Sequence, residues 1–169
     1  MQLKTLSKHI TYAEATNSPT AKKYGIDNSP TEQQLERMIQ LAESVFEPLR
    51  IALNVPIYVS SFFRSAALNK KTGGATTSQH LANNGAAMDI DADMYGKTTN
   101  DAIFKYIKDN LEFDQLIAEF KGDSGPAWIH VSYNQGKNRK QILIATVDAI
   151  SKKRIYLPYS KSLYKEIYG

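Results

Sequence analysis

The sequence predicts an α+β fold in which N-terminal helices pack on a mainly antiparallel sheet, and three observations lead there. Apolar residues recur at three- and four-residue steps in the first third of the chain. From Ile57 onward, short β-branched and aromatic runs are separated by turn residues. The 169 residues are 42% hydrophobic and include no cysteine, which suits one domain with its own apolar core and no disulfide framework. No repeat, low-complexity stretch or linker divides the chain, so residues 1–169 read as a single domain. It has a helical part over 1–52, a sheet-bearing core over 53–148 and a basic tail over 149–169.

The elements follow in order. A first helical segment runs from about Thr11 to Tyr24 and stops at Gly25, a natural left-handed terminator. In Ser29-Pro30-Thr31-Glu32, Ser29 caps, Pro30 takes the first helical position and Glu32 completes a capping box. Leu35, Met38, Ile39, Ala42, Val45, Phe46 and Leu49 then form one core-facing stripe to about Ile51, and Pro48 bends or loosens the last turn. Ile57 to Phe63 is a strand, followed by a short helical piece at Ala66-Ala67-Leu68 and a loop over Thr72 to Thr77. Strands are expected at Ala86–Asp91, Phe113–Phe120, Trp128–Tyr133 and Gln141–Thr146. A helix over Thr98–Asn110 turns Ala102, Ile103, Tyr106 and Ile107 inward. Lys121 to Pro126 must turn the chain, and Ser151 to Gly169 has no clear assignment. Most tyrosines, Tyr133, Tyr156, Tyr159 and Tyr164 among them, read as packing residues with a wet hydroxyl.

Composition narrows the partners. No run of about 18 apolar residues exists, so no membrane span is expected. The start, Met1-Gln2-Leu3-Lys4-Thr5, lacks the basic-then-apolar pattern of a secretion signal, which predicts a cytoplasmic or virion-associated protein. A net charge of +4 suits contact with an anionic polymer such as bacterial wall and is too mild to argue nucleic acid. A monomer is expected.

The candidate chemistry lies in two of the three histidines. His80 sits in Ser78-Gln79-His80, ahead of Gly85-Ala86-Ala87-Met88-Asp89, and His130 in Trp128-Ile129-His130-Val131-Ser132. Two imidazoles and a carboxylate hold Zn²⁺ at three positions and leave the fourth for water, as in catalytic sites. Without cysteine, any zinc must be held by nitrogen and oxygen. In Asp89-Ile90-Asp91-Ala92-Asp93 the carboxylates alternate and can share one face. Asp89 is favoured because the small residues before it allow a close approach to the His80 segment; Asp91 is the alternative, or a partner that orients a histidine. His9 reads as a solvent-exposed residue, so no base stands ready for a Ser78 nucleophile.

In this order, Phe63-Arg64-Ser65, Leu68-Asn69, Gly73-Gly74, Ser78-Gln79-His80, Gly85-x-Ala87-x-Asp89 and Trp128-Ile129-His130-Val131-Ser132 closely resemble the zinc D-Ala-D-Ala carboxypeptidase family. That family also contains D,D-dipeptidases of vancomycin resistance and phage L-alanyl-D-glutamate endolysins, and shares the hedgehog/DD-peptidase fold. The resemblance spans Ile57 to Thr146, and the N-terminal helices, with Pro48-Leu49-Arg50, look like those of phage or prophage members. It implies one zinc ion held by His80, Asp89 and His130, and a peptidase acting on peptidoglycan stem peptides. Arg64 would polarise the scissile carbonyl or clamp a substrate carboxylate, and Ser78 and Gln79 would orient loop or substrate.

Two departures matter. Four residues, Leu81 to Asn84, separate His80 from Gly85 where members typically have two. Many members also carry a catalytic acid three residues before the last histidine, where this chain has Ala127. Amide hydrolysis needs a carboxylate to move the proton, and Glu119, in a strand that pairs with the His130 strand, is the expected base. Asp123 in the connecting loop is the alternative. If neither serves, the chain is a non-catalytic wall-peptide binding module or a structural phage component.

Overall fold

The computed structural model describes residues 4–169. The opening segment that bears on a leader begins in residues 1–3, outside that range. No helix among the described residues is long and apolar enough to cross a membrane.

The helical part departs from expectation in two places. The first helix is two short ones, Tyr12–Ala15 (α1) and Pro19–Tyr24 (α2). Pro19 cannot donate to the preceding turn, and the Ser18 hydroxyl accepts from the Ala21 amide, so a new helix starts there before ending at left-handed Gly25. The next helix is capped by Thr31, not by Ser29. The Thr31 hydroxyl accepts from the Gln34 amide at 3.3 Å, and the Gln34 side chain accepts from the Thr31 amide at 2.8 Å. Gln34 Nε2 also donates to the Leu81 carbonyl at 2.9 Å, a distant contact that favours the Thr31–Gln34 box over Ser29–Glu32.

That helix comprises Glu32–Leu41 (α3), a wide π-turn over Ala42–Phe46 and Glu47–Leu53 (α4). The π-turn lies directly before Pro48, where the missing N–H interrupts the regular ladder, and the helix continues past Ile51 rather than loosening. Met38, Leu41, Ala42, Val45, Phe46 and Leu49 are all buried along the expected stripe.

Six strands form one sheet: Tyr58–Ser61 (β1), Ala86–Asp91 (β2), Gln115–Lys121 (β3), Pro126–Tyr133 (β4), Gln141–Val147 (β5) and Arg154–Pro158 (β6). Their order is β1-β2-β4-β3-β5-β6. Neighbours are antiparallel except β3 and β5, so the sheet is mixed. The parallel pair arises because the chain leaves β4 beside the start of β3 and rounds that start before entering β5. Asp114 is the post: its amide donates to the Ser132 carbonyl and its carbonyl accepts from the Gln141 amide.

Strand alternation divides the sheet. Met88, Ile90, Leu116, Ala118, Ile129, Val131 and Ile144 point into one core with α3, α4 and the helix Asn100–Asn110 (α6), while Asp89, Glu119 and His130 fall on the other face. Between β1 and β2 lies the short helix Ala66–Lys71 (α5). Helix α6 buries Ile103, Phe104 and Ile107; Ala102 and Tyr106 are only half-buried.

The tail is structured. After β6, Ser160 caps Lys161–Tyr168 (α7), whose Tyr164 stacks on Phe104 with centroids 4.9 Å apart. The Tyr164 hydroxyl donates to Asp101 at 3.0 Å and that of Tyr168 to the Ala118 carbonyl at 2.9 Å, so these hydroxyls are bonded within the protein rather than wet. Tyr164→Ala is expected to lower stability by about 3 kcal/mol, the range of large aromatic truncations. A guanidinium unfolding midpoint unchanged from wild type would refute this role for the tail.

Candidate metal centre

Antiparallel pairing sets Asp89 of β2 directly opposite His130 of β4 on the sheet's open face. His80 arrives from the side, on a single 3-10 turn over Gln79–Leu81. One oxygen organises all three: Asp89 Oδ1 lies 2.8 Å from His130 Nδ1 and 3.2 Å from His80 Nε2. The three candidate ligand atoms lie within 4.8 Å of one another. The second oxygen, Oδ2, accepts from Arg64 Nη2 at 3.0 Å, while Arg64 Nε donates to the Ser61 hydroxyl at 3.1 Å. Arg64 thus reaches the cluster through the carboxylate.

The chemistry of this donor set fits a cation. His80 Nδ1 lies 2.7 Å from the Phe62 carbonyl, which can only accept, so Nδ1 carries the ring proton. Burial pushes the His80 pKa down, against the pull of Asp89, and keeps the ring neutral. Nε2 therefore presents a lone pair to a carboxylate oxygen, an arrangement satisfied by a metal ion shared between them. Burial alone would raise the Asp89 carboxyl, yet among its paired partners it lies well below the usual carboxylate range. Asp89 stays ionised, as a ligand must.

The four residues between His80 and Gly85 are absorbed without slack. Ala82 takes a left-handed φ of 52°, and α3 grips the loop through Gln34 to the Leu81 carbonyl and Arg37 to the Ala82 carbonyl at 3.0 Å. Gly85 closes it at φ 79°, where a Cβ would meet the Tyr133 carbonyl oxygen at 2.5 Å.

Ser78 and Gln79 are engaged within the chain. The Ser78 hydroxyl accepts from the His80 amide at 3.4 Å, and Gln79 Nε2 donates to Asp114 Oδ2 at 2.8 Å. Asp114, buried, also receives Arg139 through Nε at 2.8 Å, Nη2 at 2.6 Å and the backbone amide at 3.0 Å. Against the upward push of burial, Arg139 holds the Asp114 carboxyl below its ordinary range. Sequence reasoning missed this post, although a carboxylate at the mouth of the apolar run from Leu116 was a signal.

Asp91 does not orient a histidine; the Phe62 carbonyl does that for His80. β2 ends at Asp91 and Asp93 turns off into a separate turn, so the three carboxylates do not share a face. Buried Asn100 gathers Asp91 and Asp93 instead, donating to Asp91 Oδ1 at 3.0 Å, Asp93 Oδ2 at 3.1 Å and the Ala127 carbonyl at 3.0 Å. His9 is exposed and pairs with Glu47. Asp123 is exposed on the β3–β4 turn, beyond Pro126, which is itself about 13 Å along β4 from His130.

Glu119 is on the metal face. On β3, Ile117 pairs with His130 and Glu119 with Trp128, so Glu119 and His130 are diagonal neighbours. It is 7% exposed, and burial pushes its pKa up to about 7, against the opposing influence of His130.

The family model described as Peptidase M15 matches residues 8–132. The chain belongs to the Peptidase M15 family. No curated protein matches it. The matched span contains Arg64, His80, Asp89, Glu119 and His130, and ends before β5. M15 peptidases are zinc-dependent hydrolases, and in this M15 member the His80, Asp89 and His130 group could bind that metal.

Two outcomes are expected. Asp114→Asn or Gln79→Ala should weaken zinc binding about 10-fold through looser placement of His80, as measured by chelator competition; affinity equal to wild type would show that the Asp114 post does not reach the metal. The second concerns stability. A carboxyl raised by the fold holds its proton more tightly folded than unfolded, so between pH 4.5 and about 7 the Glu119 contribution falls as pH rises. In chelator-treated protein, Glu119→Gln should therefore be more stable than wild type at pH 8 by about 1–3 kcal/mol, with the gap closing near pH 4.5. A pH-independent difference in thermal midpoint would contradict the burial.

Proposed function

We propose that the protein is a zinc metallopeptidase that hydrolyses amide bonds in bacterial peptidoglycan stem peptides, as a D-Ala-D-Ala carboxypeptidase or an endolysin-like L-Ala-D-Glu endopeptidase. The observation that carries the proposal is a buried carboxyl, Glu119, set on the sheet face that carries Asp89 and His130 and that His80 joins from the side. In this reading His80, Asp89 and His130 hold one Zn²⁺. When bound, zinc supplies Lewis acidity, lowering the pKa of water and polarising a carbonyl. Glu119 takes the proton released by the attacking water and passes it to the leaving nitrogen. Its place diagonal to His130 on the same face suits both halves of that transfer.

Arg64 is held beside Asp89 by two side-chain hydrogen bonds and leaves Nη1 for the substrate. It stabilises charge building on the scissile oxygen or pairs with a substrate carboxylate. Ala127 offers no proton, and that residue favours the second reading, a wall-peptide binding module or a structural phage component. Glu119 weighs against it.

Mass spectrometry of defined muropeptides, before and after incubation with zinc-loaded protein, tests the assignment. Loss of terminal D-Ala, or separation of L-Ala from D-Glu, is the expected result and names the bond. Glu119→Gln should reduce turnover at least about 100-fold while retaining one zinc per chain. Unchanged peptides with zinc bound would transfer the assignment to the binding module.

A further inference from the structure

Four residues outside the proposed catalytic set share the metal face: Phe120, Trp128, Arg154 and Tyr156. The first sign is backbone strain. Phe120 adopts φ 51°, a left-handed conformation uncommon for a bulky residue, and so breaks the alternation of β3. Its ring lies 5.3 Å from that of Trp128, which shares Glu119's face, instead of turning to the core.

The second sign is a cation without a carboxylate partner among the described residues. Arg154 Cζ sits 5.4 Å from the Phe120 ring centroid. Among the described residues, no carboxylate pairs with Arg154 and its guanidinium makes no hydrogen bond.

The third is register. Glu119 pairs with Ala145 of β5, and Ala145 with Tyr156 of β6, so Trp128, Glu119, Ala145 and Tyr156 form one row across four strands. Ala145 is fully buried although it faces the open side, covered by its larger neighbours. Tyr156 is 50% exposed, and its hydroxyl has no partner among the described residues. Burial raises the phenol's pKa, and the negative charges of Glu119 and Asp89 add to the shift, consistent with its place beside the site.

We propose that Phe120, Trp128, Arg154 and Tyr156 form a substrate subsite in which Arg154 pairs with a carboxylate of the peptide, the aromatic rings pack along its backbone and the Tyr156 hydroxyl donates to a peptide carbonyl. Two strand spacings separate β6 from Glu119, about 10 Å. The Arg154 side chain spans part of that gap, its guanidinium lying over the ring of Phe120, the residue after Glu119, so the carboxylate it reads lies on the Glu119 side of the cluster. Arg64 and Arg154 then flank the metal from opposite sides, a charge pattern that suits an anionic stem peptide. Arg154 and Tyr156 lie beyond the residues matched to the family, so this wall belongs to the C-terminal strands.

The subsite rests on the peptidase reading, and the test separates the two. Trp128 is the only tryptophan, so its fluorescence reports occupancy without turnover. Zinc-loaded wild type and Arg154→Gln are titrated with a stem peptide in two forms, one with free side carboxylates and one with them amidated, and hydrolysis of both forms is followed in parallel. Wild type should bind the acid about tenfold more tightly than the amide, the strength of one charge-assisted hydrogen-bonded pair. Arg154→Gln should lose that preference, with KM raised for the acid relative to the amide. Arg154→Lys should restore part of it, which a folding defect would not, and Tyr156→Phe should weaken both forms alike. If wild type cleaves the peptides and Arg154→Gln keeps the preference, the subsite is overturned while the peptidase reading stands. If wild type neither binds nor cleaves any stem peptide, the peptidase reading fails and the subsite with it.

Discussion

One half-buried carboxylate governs the open face of the sheet. Asp89 directs one oxygen at two imidazoles and the other at a guanidinium, and an ionised group so enclosed is tolerable only with such partners. Each partner is itself fixed by something else: His130 by the β2–β4 register, His80 by the Phe62 carbonyl, Arg64 by Ser61. The end of β1 is thereby explained. The strand stops at Ser61 so that the next carbonyl can turn toward the His80 ring.

Behind this centre stand two polar posts at opposite ends of the sheet. Asp114 ties the His80 turn to Arg139 and to the loop between β4 and β5, and Asn100 ties the end of β2 to the backbone at Ala127. Both are buried polar groups with several partners, the condition under which such groups rigidify rather than weaken a core. They hold the metal face in place without touching it.

The grouping of His80, Asp89 and His130 was legible because each sits in a short, ordered motif, and Glu119 because strand parity places it on the face of His130. What could not be read locally depends on distant contacts. Ser29–Glu32 and Thr31–Gln34 are equally good capping boxes within the helix, and only the reach of Gln34 to Leu81 separates them. Asp114 meets Gln79 and Arg139 from far along the chain, so neither partner marks the other in sequence. The tail hid a helix whose Leu163, Tyr164, Ile167 and Tyr168 do keep helical spacing; its eight residues are too few to stand without the packing of Phe104 and Ala118.

The family match ends at residue 132, with β3 paired only to β4. At that point β3 would be a sheet margin, its outer row of amides and carbonyls open along the apolar stretch from Leu116 to Ala118, a template for another molecule's strand. β5 and β6 move the margin outward to Arg154–Pro158, which follows Lys152 and Lys153 and finishes in a proline that cannot donate. The opposite margin, β1, is four residues long and irregular between Val59 and Ser61. β5 and β6 therefore cover the row of amides and carbonyls that β3 would otherwise present, and the outer border they leave is preceded by lysines and closed by a proline.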